Sequence, residues 1–428
     1  MQHKYVQYLV FCMKLIQSAG LSCIALLAFG CGRSMIPSGD IFVIDLATAM
    51  SQQTTLKASE YFSEIRYIPL ETSDTCLIGN NPVIRFAGEN ILITTSTRSY
   101  SQAMLFDASG SFIRNIGHIG NDPEGYGSVR CFVDDFKELI YFQGFGNSLT
   151  AYGFDGKFAG KIPTHTISDM WMTYFFLNGD TLLGYQSDPI GNAFNGITIF
   201  NASGKIDSIP SNLPELTMEG ASMARALSRD VYGPVGYEGI SYFWGRETTF
   251  IWMPGATVFW HQDRETYFKE PFNDTIFVIR QNTLIPRLVL ELGNYHWDAA
   301  DRMRPDMDKG LFFTQFFENN DILFFRFLTR VYDDNEFKNL KSYNAMYHKS
   351  TGNIKIAPFN EGVMDDLTHF LPLQPCAVSS SGVYAGLLNP VDILEWLEKQ
   401  GDRATIPAEI QRLKQLNEED NPVLVLMK

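Results

Sequence analysis

The residues best suited to bind a ligand lie in an aromatic and basic stretch near the middle of the chain. Trp244 and Trp260 alternate there with Arg246, His261 and Arg264. Aromatic faces can stack on a sugar or another planar ligand, and guanidinium groups can fix its carboxylates through paired hydrogen bonds. The alternative is that the tryptophans fill the hydrophobic core, and the sequence favours this packing role over the binding role.

Other residue types that carry catalysis show no catalytic spacing. The HExxH zinc motif and the GxSxG nucleophile elbow do not occur in the sequence. The carboxylate pairs Asp134-Asp135 and Asp365-Asp366 are typical of solvated turns. Six histidines follow the N-terminal apolar run, and none is spaced from another like a metal ligand: His118, His165, His261, His296, His348 and His369. We therefore predict no catalytic residue and no cofactor, and leave open only a metal whose ligands are distant in sequence.

An export signal is expected at the N-terminus. The apolar run Leu21–Gly30 precedes Cys31 and follows the basic residue Lys14. It is much shorter than the about 20 apolar residues that span a bilayer. The arrangement resembles the signal peptide of a bacterial lipoprotein, in which cleavage after Gly30 leaves Cys31 to be lipidated. The alternative is an ordinary signal peptide cleaved elsewhere. We predict a signal peptide over residues 1–30, with Met13 as the true initiator, and a lipid-anchored linker over residues 31–40.

Composition excludes some classes of partner. The net charge of −14 argues against binding nucleic acid or anionic lipid through a basic surface, so any membrane contact is expected through the lipid alone. With 45% hydrophobic residues, the chain can bury a large core. Cys76, Cys131 and Cys376 follow the expected anchor without CxxC spacing, which indicates free buried thiols rather than disulfides or a zinc site.

Short β-rich runs separated by turn residues fill the rest of the chain, which is typical of an all-β protein. One hairpin pattern recurs, with a turn glycine at position 110, 156 or 204. Glycine supplies the positive φ that a tight hairpin requires. These positions are 46 and 48 residues apart, which is close to the length of a four-stranded propeller blade. Weaker copies at Asn282 and Gly352 follow longer intervals, which predict blades with insertions.

The C-terminal tail has a different pattern. Residues 390–400 have helical spacing and end before Gly401, and residues 407–416 predict a second helix that begins with Pro407. The apolar segment 421–427 follows and predicts a buried strand. Such a strand can close a ring of blades by pairing with N-terminal sequence.

Several segments resemble one family. The run Glu64–Thr72 with Cys76–Gly79 resembles the opening motif of six-bladed β-propeller lipoproteins from Bacteroides-type bacteria, and Phe112–Tyr126 resembles their NHL-like repeat signature. Phe268–Phe277 and Asn421–Lys428 also fit this family. The resemblance implies a six-bladed propeller over residues 41–428, closure of the ring by the last strand, and a location in the cell envelope, most simply at the outer membrane. It implies no settled activity.

Two main functions follow from these features. The first is a binding or scaffold module for an envelope glycan, peptide or protein partner, including a purely structural spacer. The second is a propeller enzyme of lactonase, lyase or hydrolase type with a metal in its central channel. Arg130 and Asp134 follow the NHL-like segment, and their position predicts that they line the mouth of the channel. We predict the binding module.

Overall fold

The computed structural model describes residues 41–96, 100–164, 172–186, 195–214, 225–232, 237–244, 249–254, 256–302, 310–331, 340–400 and 406–428. Most of these residues form strands, and the strands assemble into a six-bladed β-propeller. Each blade is a four-stranded antiparallel sheet. The predicted fold class is therefore confirmed.

The blades are numbered here along the chain, each from its inner to its outer strand. Blade 1 contains Val83–Ala87, Asn90–Ser96, Ser101–Phe106 and Phe112–Asn115. Blade 2 contains Cys131–Asp134, Leu139–Gln143, Ser148–Gly153 and Phe158–Pro163. Blade 3 contains Met172–Asn178, Thr181–Gln186, Gly196–Asn201 and Gly204–Pro210. Blade 4 contains Phe259–Gln262, Glu265–Lys269, Thr275–Arg280 and Thr283–Glu291. Blade 5 contains Phe312–Glu318, Ile322–Thr329, Lys341–His348 and Asn353–Pro358.

Blade 6 joins the two ends of the propeller sequence. Its inner strands, Ala377–Val378 and Tyr384–Leu388, are followed by Val423–Met427, which pairs with Ile65–Pro69 at the outer edge. Four residues of the last strand are fully or almost fully buried, as the apolar sequence predicts: Val423, Leu424, Val425 and Met427. The last strand therefore closes the ring, as predicted.

Short helices and extra strands complete the structure. The predicted C-terminal helices are present as Pro390–Gln400, Ala408–Gln411 and the 3-10 turn Arg412–Gln415. The other helical segments are short: Leu46–Ser51, Ala58–Glu60, Gly293–Tyr295, Ala299–Asp301 and Phe359–Glu361. Phe42–Asp45 adds a fifth, parallel strand to blade 4, and Leu56–Lys57 pairs with Val363–Met364. None of the helices in the described ranges has the length and apolar character needed to cross a membrane.

The repeated turns mark equivalent places in five blades. Gly110, Gly156, Asn282 and Gly352 lie between the third and fourth strands of blades 1, 2, 4 and 5, and Gly204 is the first residue of the fourth strand of blade 3. All five residues have a positive φ. The long interval between the third and fourth of these turns contains an additional three-stranded sheet, whose strands are Arg225–Tyr232, Tyr237–Trp244 and Thr249–Pro254. The prediction of an insertion between regular hairpins is thus confirmed for this interval.

Glycine is required more strongly at position 110 than at the equivalent position 352. A Cβ on Gly110 would lie 2.3 Å from the carbonyl oxygen of Pro69, whereas a Cβ on Gly352 would meet nothing within 4 Å. Both residues have positive φ, so alanine costs roughly 1 kcal/mol at either site. We expect Gly110→Ala to lower the free energy of unfolding by about 1–3 kcal/mol more than Gly352→Ala, because the backbone of blade 6 must also move. Urea denaturation of the two variants measures the difference, and equal losses would contradict the close approach.

Candidate functional site

A central cavity of about 1320 Å³ is lined by residues from the inner strands of all six blades. In a propeller the faces of each blade pack against the neighbouring blades, so mainly the edge of each inner strand and its flanking turns reach the centre. Because successive inner strands begin 41 residues or more apart in the sequence, no local motif encodes this site. The cavity is the principal candidate for ligand binding in the described part of the chain.

The wall of the cavity combines aromatic rings with polar side chains. Phe86, Phe175 and Phe317 are only partly buried and come from blades 1, 3 and 5. Polar lining residues come from most of the ring: Arg85, Arg130, Asp135, Gln143, Gln315 and Gln374. Flat apolar faces beside hydrogen-bonding groups suit a ligand that is itself both apolar and polar, such as a saccharide.

A buried arginine holds two of the lining amides in place. Arg326 lies on the second strand of blade 5 and is fully buried. Its guanidinium donates to Gln315 Oε1 at 2.6 Å, to the carbonyl oxygen of Pro375 at 2.6 Å and to Gln374 Oε1 at 3.3 Å. Its Nε donates to Asn344 Oδ1 at 2.9 Å. The network ties blade 5 to the segment that enters blade 6, and so fixes the polar wall on that side.

The two adjacent aspartates of blade 2 have different surroundings. The buried Asp134 accepts from the backbone N–H groups of Phe136 and Lys137 at 3.1 and 3.2 Å, which holds the turn between two strands. Asp135 lines the cavity and accepts from the N–H of Gly88 at 3.1 Å. Burial raises the pKa of Asp135, opposed by this hydrogen bond and by one from Ser380. The sequence predicts Asp134 at the mouth of the channel, whereas the structure places Asp135 in the cavity wall.

His261 lies beneath an exposed phenylalanine at the edge of the cavity. Its ring centroid is 5.1 Å from that of Phe136 and 5.0 Å from that of Phe176. The Phe136 side chain is 61% exposed. Burial lowers the pKa of His261 to about 4, so the imidazole is neutral at physiological pH. His261 can therefore offer an aromatic face and one N–H, but no charge.

Trp260 is packed between blades 4 and 5. Its ring stacks on Phe316 at 4.9 Å and on Tyr267 at 5.6 Å, and its indole N–H donates to Glu318 Oε2 at 2.6 Å. The second oxygen of Glu318 pairs with Lys349 at 2.6 Å. This geometry corresponds to the packing interpretation that the sequence favoured, although Trp260 also belongs to the lining of the cavity.

The remaining predicted site residues occupy separate places. Arg130 lines the cavity just before the inner strand of blade 2. Arg264 is exposed in the turn after the inner strand of blade 4, where it also contributes to the lining. Trp244 ends a strand of the inserted sheet, and its side chain lies outside the described structure. Arg246 and Cys31 lie outside the described residues.

Cysteines and possible metal ligands are dispersed. Cys76, Cys131 and Cys376 are free thiols, and burial raises the pKa of Cys376 to about 11. In the described ranges, no group of three or more histidine, cysteine, aspartate or glutamate side chains is gathered closely enough to hold a metal ion.

Comparison with known proteins adds a family assignment. Residues 41–428 match the model of a domain of unknown function, DUF4934. The chain belongs to this family. No curated protein has a sequence that matches it.

One solved structure supports the fold. A presumed exported protein from Bacteroides fragilis NCTC 9343 is similar over 90% of this chain and 98% of its own, with 16% identity and a TM-score of 0.58. Two others have lower TM-scores. The Pan2 WD40 domain of Neurospora crassa shares 10% identity over 72% of this chain and 75% of its own, with a TM-score of 0.33. Aldose sugar dehydrogenase of Streptomyces coelicolor shares 12% identity over 85% of this chain and 98% of its own, with a TM-score of 0.35.

Proposed function

We propose that this DUF4934 protein is an exported binding module that holds an envelope glycan in the central cavity of its propeller. The observation that supports this function best is the cavity itself. Its volume of about 1320 Å³ exceeds the roughly 300–1,000 Å³ of pockets for drug-sized ligands, so several sugar rings fit inside. Partly exposed aromatic rings and amide groups face the same space. A peptide or a protein segment is the rival occupant.

A thermal-denaturation screen tests this function. The purified protein is heated with neutral and acidic oligosaccharides, with short peptides, and with divalent metals or a chelator. A saccharide at 100 times its Kd stabilises the native state by about 2.7 kcal/mol, and we expect at least one to raise the unfolding midpoint by a degree or more. Stabilisation by a metal alone, reversed by the chelator, would contradict the proposal and favour the enzyme. Stabilisation by peptides alone would replace the glycan with a peptide ligand.

We also propose that lipidation of Cys31 anchors the protein to the outer membrane. The support is the apolar run Leu21–Gly30 directly before this cysteine. The structural relative from Bacteroides fragilis is named as an exported protein, which is consistent with this location.

Labelling with a fatty acid in a lipoprotein-processing bacterium tests the anchor. We expect the wild-type chain to incorporate the label and to sediment with membranes, and Cys31→Ser to do neither. Cys23→Ser is the matched control, because it also removes a cysteine near the expected cleavage site, and it should keep the label. Equal labelling of the Cys31→Ser chain would contradict lipidation at this residue.

A further inference from the structure

Arg85 is an arginine of the cavity wall with an unsatisfied hydrogen-bonding group. It lies in the middle of Val83–Ala87, the inner strand of blade 1, and the side chain is half-buried. Its Nη1 is enclosed by the protein and has no hydrogen-bond partner among the described residues. A buried donor without a partner costs free energy, so such groups are normally satisfied by protein, water or ligand.

Other buried cations of the propeller do have partners. Arg326 donates to three side-chain amides and a carbonyl oxygen. Lys269 donates to the carbonyl oxygen of Glu270 at 3.1 Å and lies 4.8 Å from the centroid of Phe313. Arg302 donates to the carbonyl oxygen of Pro214 at 2.8 Å. Arg85 therefore differs from these three cations in two respects: the residue lines the cavity, and one of its guanidinium nitrogens, Nη1, has no partner among the described residues.

No neighbouring side chain neutralises the charge of Arg85 in the described structure. One group that its charge affects is the thiol of Cys131 on blade 2. Burial raises the pKa of that thiol, and Arg85 only partly opposes the rise, so the thiol is uncharged at neutral pH. Asp135, the lining carboxylate of blade 2, is held by the Gly88 N–H instead.

We propose that Arg85 binds a carboxylate of the ligand, so that the saccharide held in the cavity is an acidic one containing uronic acid. This inference rests on the proposed function and specifies its ligand. The planar guanidinium matches a carboxylate through two parallel hydrogen bonds, and a partly enclosed site strengthens them. Arg130, just before the inner strand of the adjacent blade 2, also lines the cavity. The aromatic rings of the wall would then contact the sugar rings.

Matched acidic and neutral sugars test this inference. The probes are oligosaccharides of hyaluronan, alginate and polygalacturonate, each as the free acid and as its methyl ester, which keeps the ring and removes the charge. We expect the wild-type protein to bind at least one acid ten times or more tighter than its ester. Arg85→Gln should weaken binding of that acid at least tenfold and leave binding of the ester unchanged. The affinity of Arg85→Lys for the acid should lie between those of the wild type and Arg85→Gln. Arg412→Gln, an exposed arginine away from the cavity, is the control and should bind like wild type.

Each contrary outcome has a distinct meaning. Equal binding of acid and ester, unaffected by Arg85→Gln, would overturn this inference and leave the glycan-binding function intact. Failure of every acidic and neutral saccharide to bind would overturn both. The unfolding midpoint of Arg85→Gln separates ligand binding from a structural role. Because the substitution removes the unpartnered Nη1, the midpoint should stay unchanged or rise. A large drop in this midpoint would assign Arg85 to the fold and would also contradict the inference.

Discussion

Arg326→Met is expected to lower the free energy of unfolding by about 3 kcal/mol. The substitution keeps a long side chain of similar reach but removes every donor of the guanidinium. The oxygens of Gln315, Gln374 and Pro375 then lose a charged partner while they remain partly or fully enclosed. Hydrogen bonds to a charged group contribute roughly 1.5–3 kcal/mol each, and recovery of the cost of burying the guanidinium offsets part of the loss.

Arg280→Met is the matched control for this substitution. Arg280 also lies on a strand, but it is largely exposed and pairs with Glu265 at the surface. Exposed ion pairs contribute up to about 1 kcal/mol, so this variant should unfold at nearly the wild-type denaturant concentration. Chemical denaturation of both variants provides the comparison. A loss for Arg326→Met no larger than that for Arg280→Met would show that the buried network does not hold blades 5 and 6 together.

Asn421→Ala is expected to destabilise the ring closure by about 3 kcal/mol. Asn421 is buried just before the last strand. Its amide donates to the carbonyl oxygens of Glu71 and Cys76 at 2.6 and 2.7 Å, and its oxygen accepts from the N–H of Ile78 at 2.8 Å. These three hydrogen bonds join the last segment of the chain to sequence that lies some 350 residues earlier. Alanine leaves the three backbone groups without a partner, at about 1 kcal/mol or more for each.

Asn417→Ala, four residues earlier, controls for the loss of an asparagine. Its side chain is exposed and donates a long hydrogen bond of 3.5 Å to Asp420, so its replacement should change stability by less than about 0.5 kcal/mol. Amide hydrogen exchange adds a local readout. We expect faster exchange of Ile78 in Asn421→Ala and wild-type protection in Asn417→Ala. Unchanged protection of Ile78 in both variants would mean that the closure does not depend on this residue.

The fold could be predicted because the sequence features that specify it are local and recur along the chain. A tight hairpin requires a residue that tolerates positive φ, and the recurrence of Gly110, Gly156 and Gly204 fixes both the unit and its length. The burial of an apolar final strand likewise follows from the segment 421–427 alone. The three-stranded sheet within 225–254 was expected only as an insertion, since its own strands carry no copy of the repeated turn.

The cavity could not be predicted residue by residue, because it is assembled from six distant strands. Asp134 and Asp135 differ by one position, and strand alternation together with turn geometry decides which carboxylate holds the turn and which faces the centre. The sequence nevertheless carries one signal of these positions. Arg85 and Arg326 are single charges within otherwise apolar strands, and a charge in such a strand must find a partner or a ligand.

The central claim, that a glycan occupies the cavity, is tested most directly by blocking that space. Val83 lines the cavity and is 39% exposed, so Val83→Trp fills part of the cavity without overpacking the core. Val43, on the fifth strand that Phe42–Asp45 adds to blade 4, is 57% exposed and gives the matched control Val43→Trp. Calorimetric titration with the saccharide that stabilises the wild-type protein most should show binding to Val43→Trp and at least tenfold weaker binding to Val83→Trp. Equal affinity for the two variants, with both folded, would place the ligand elsewhere and contradict the account.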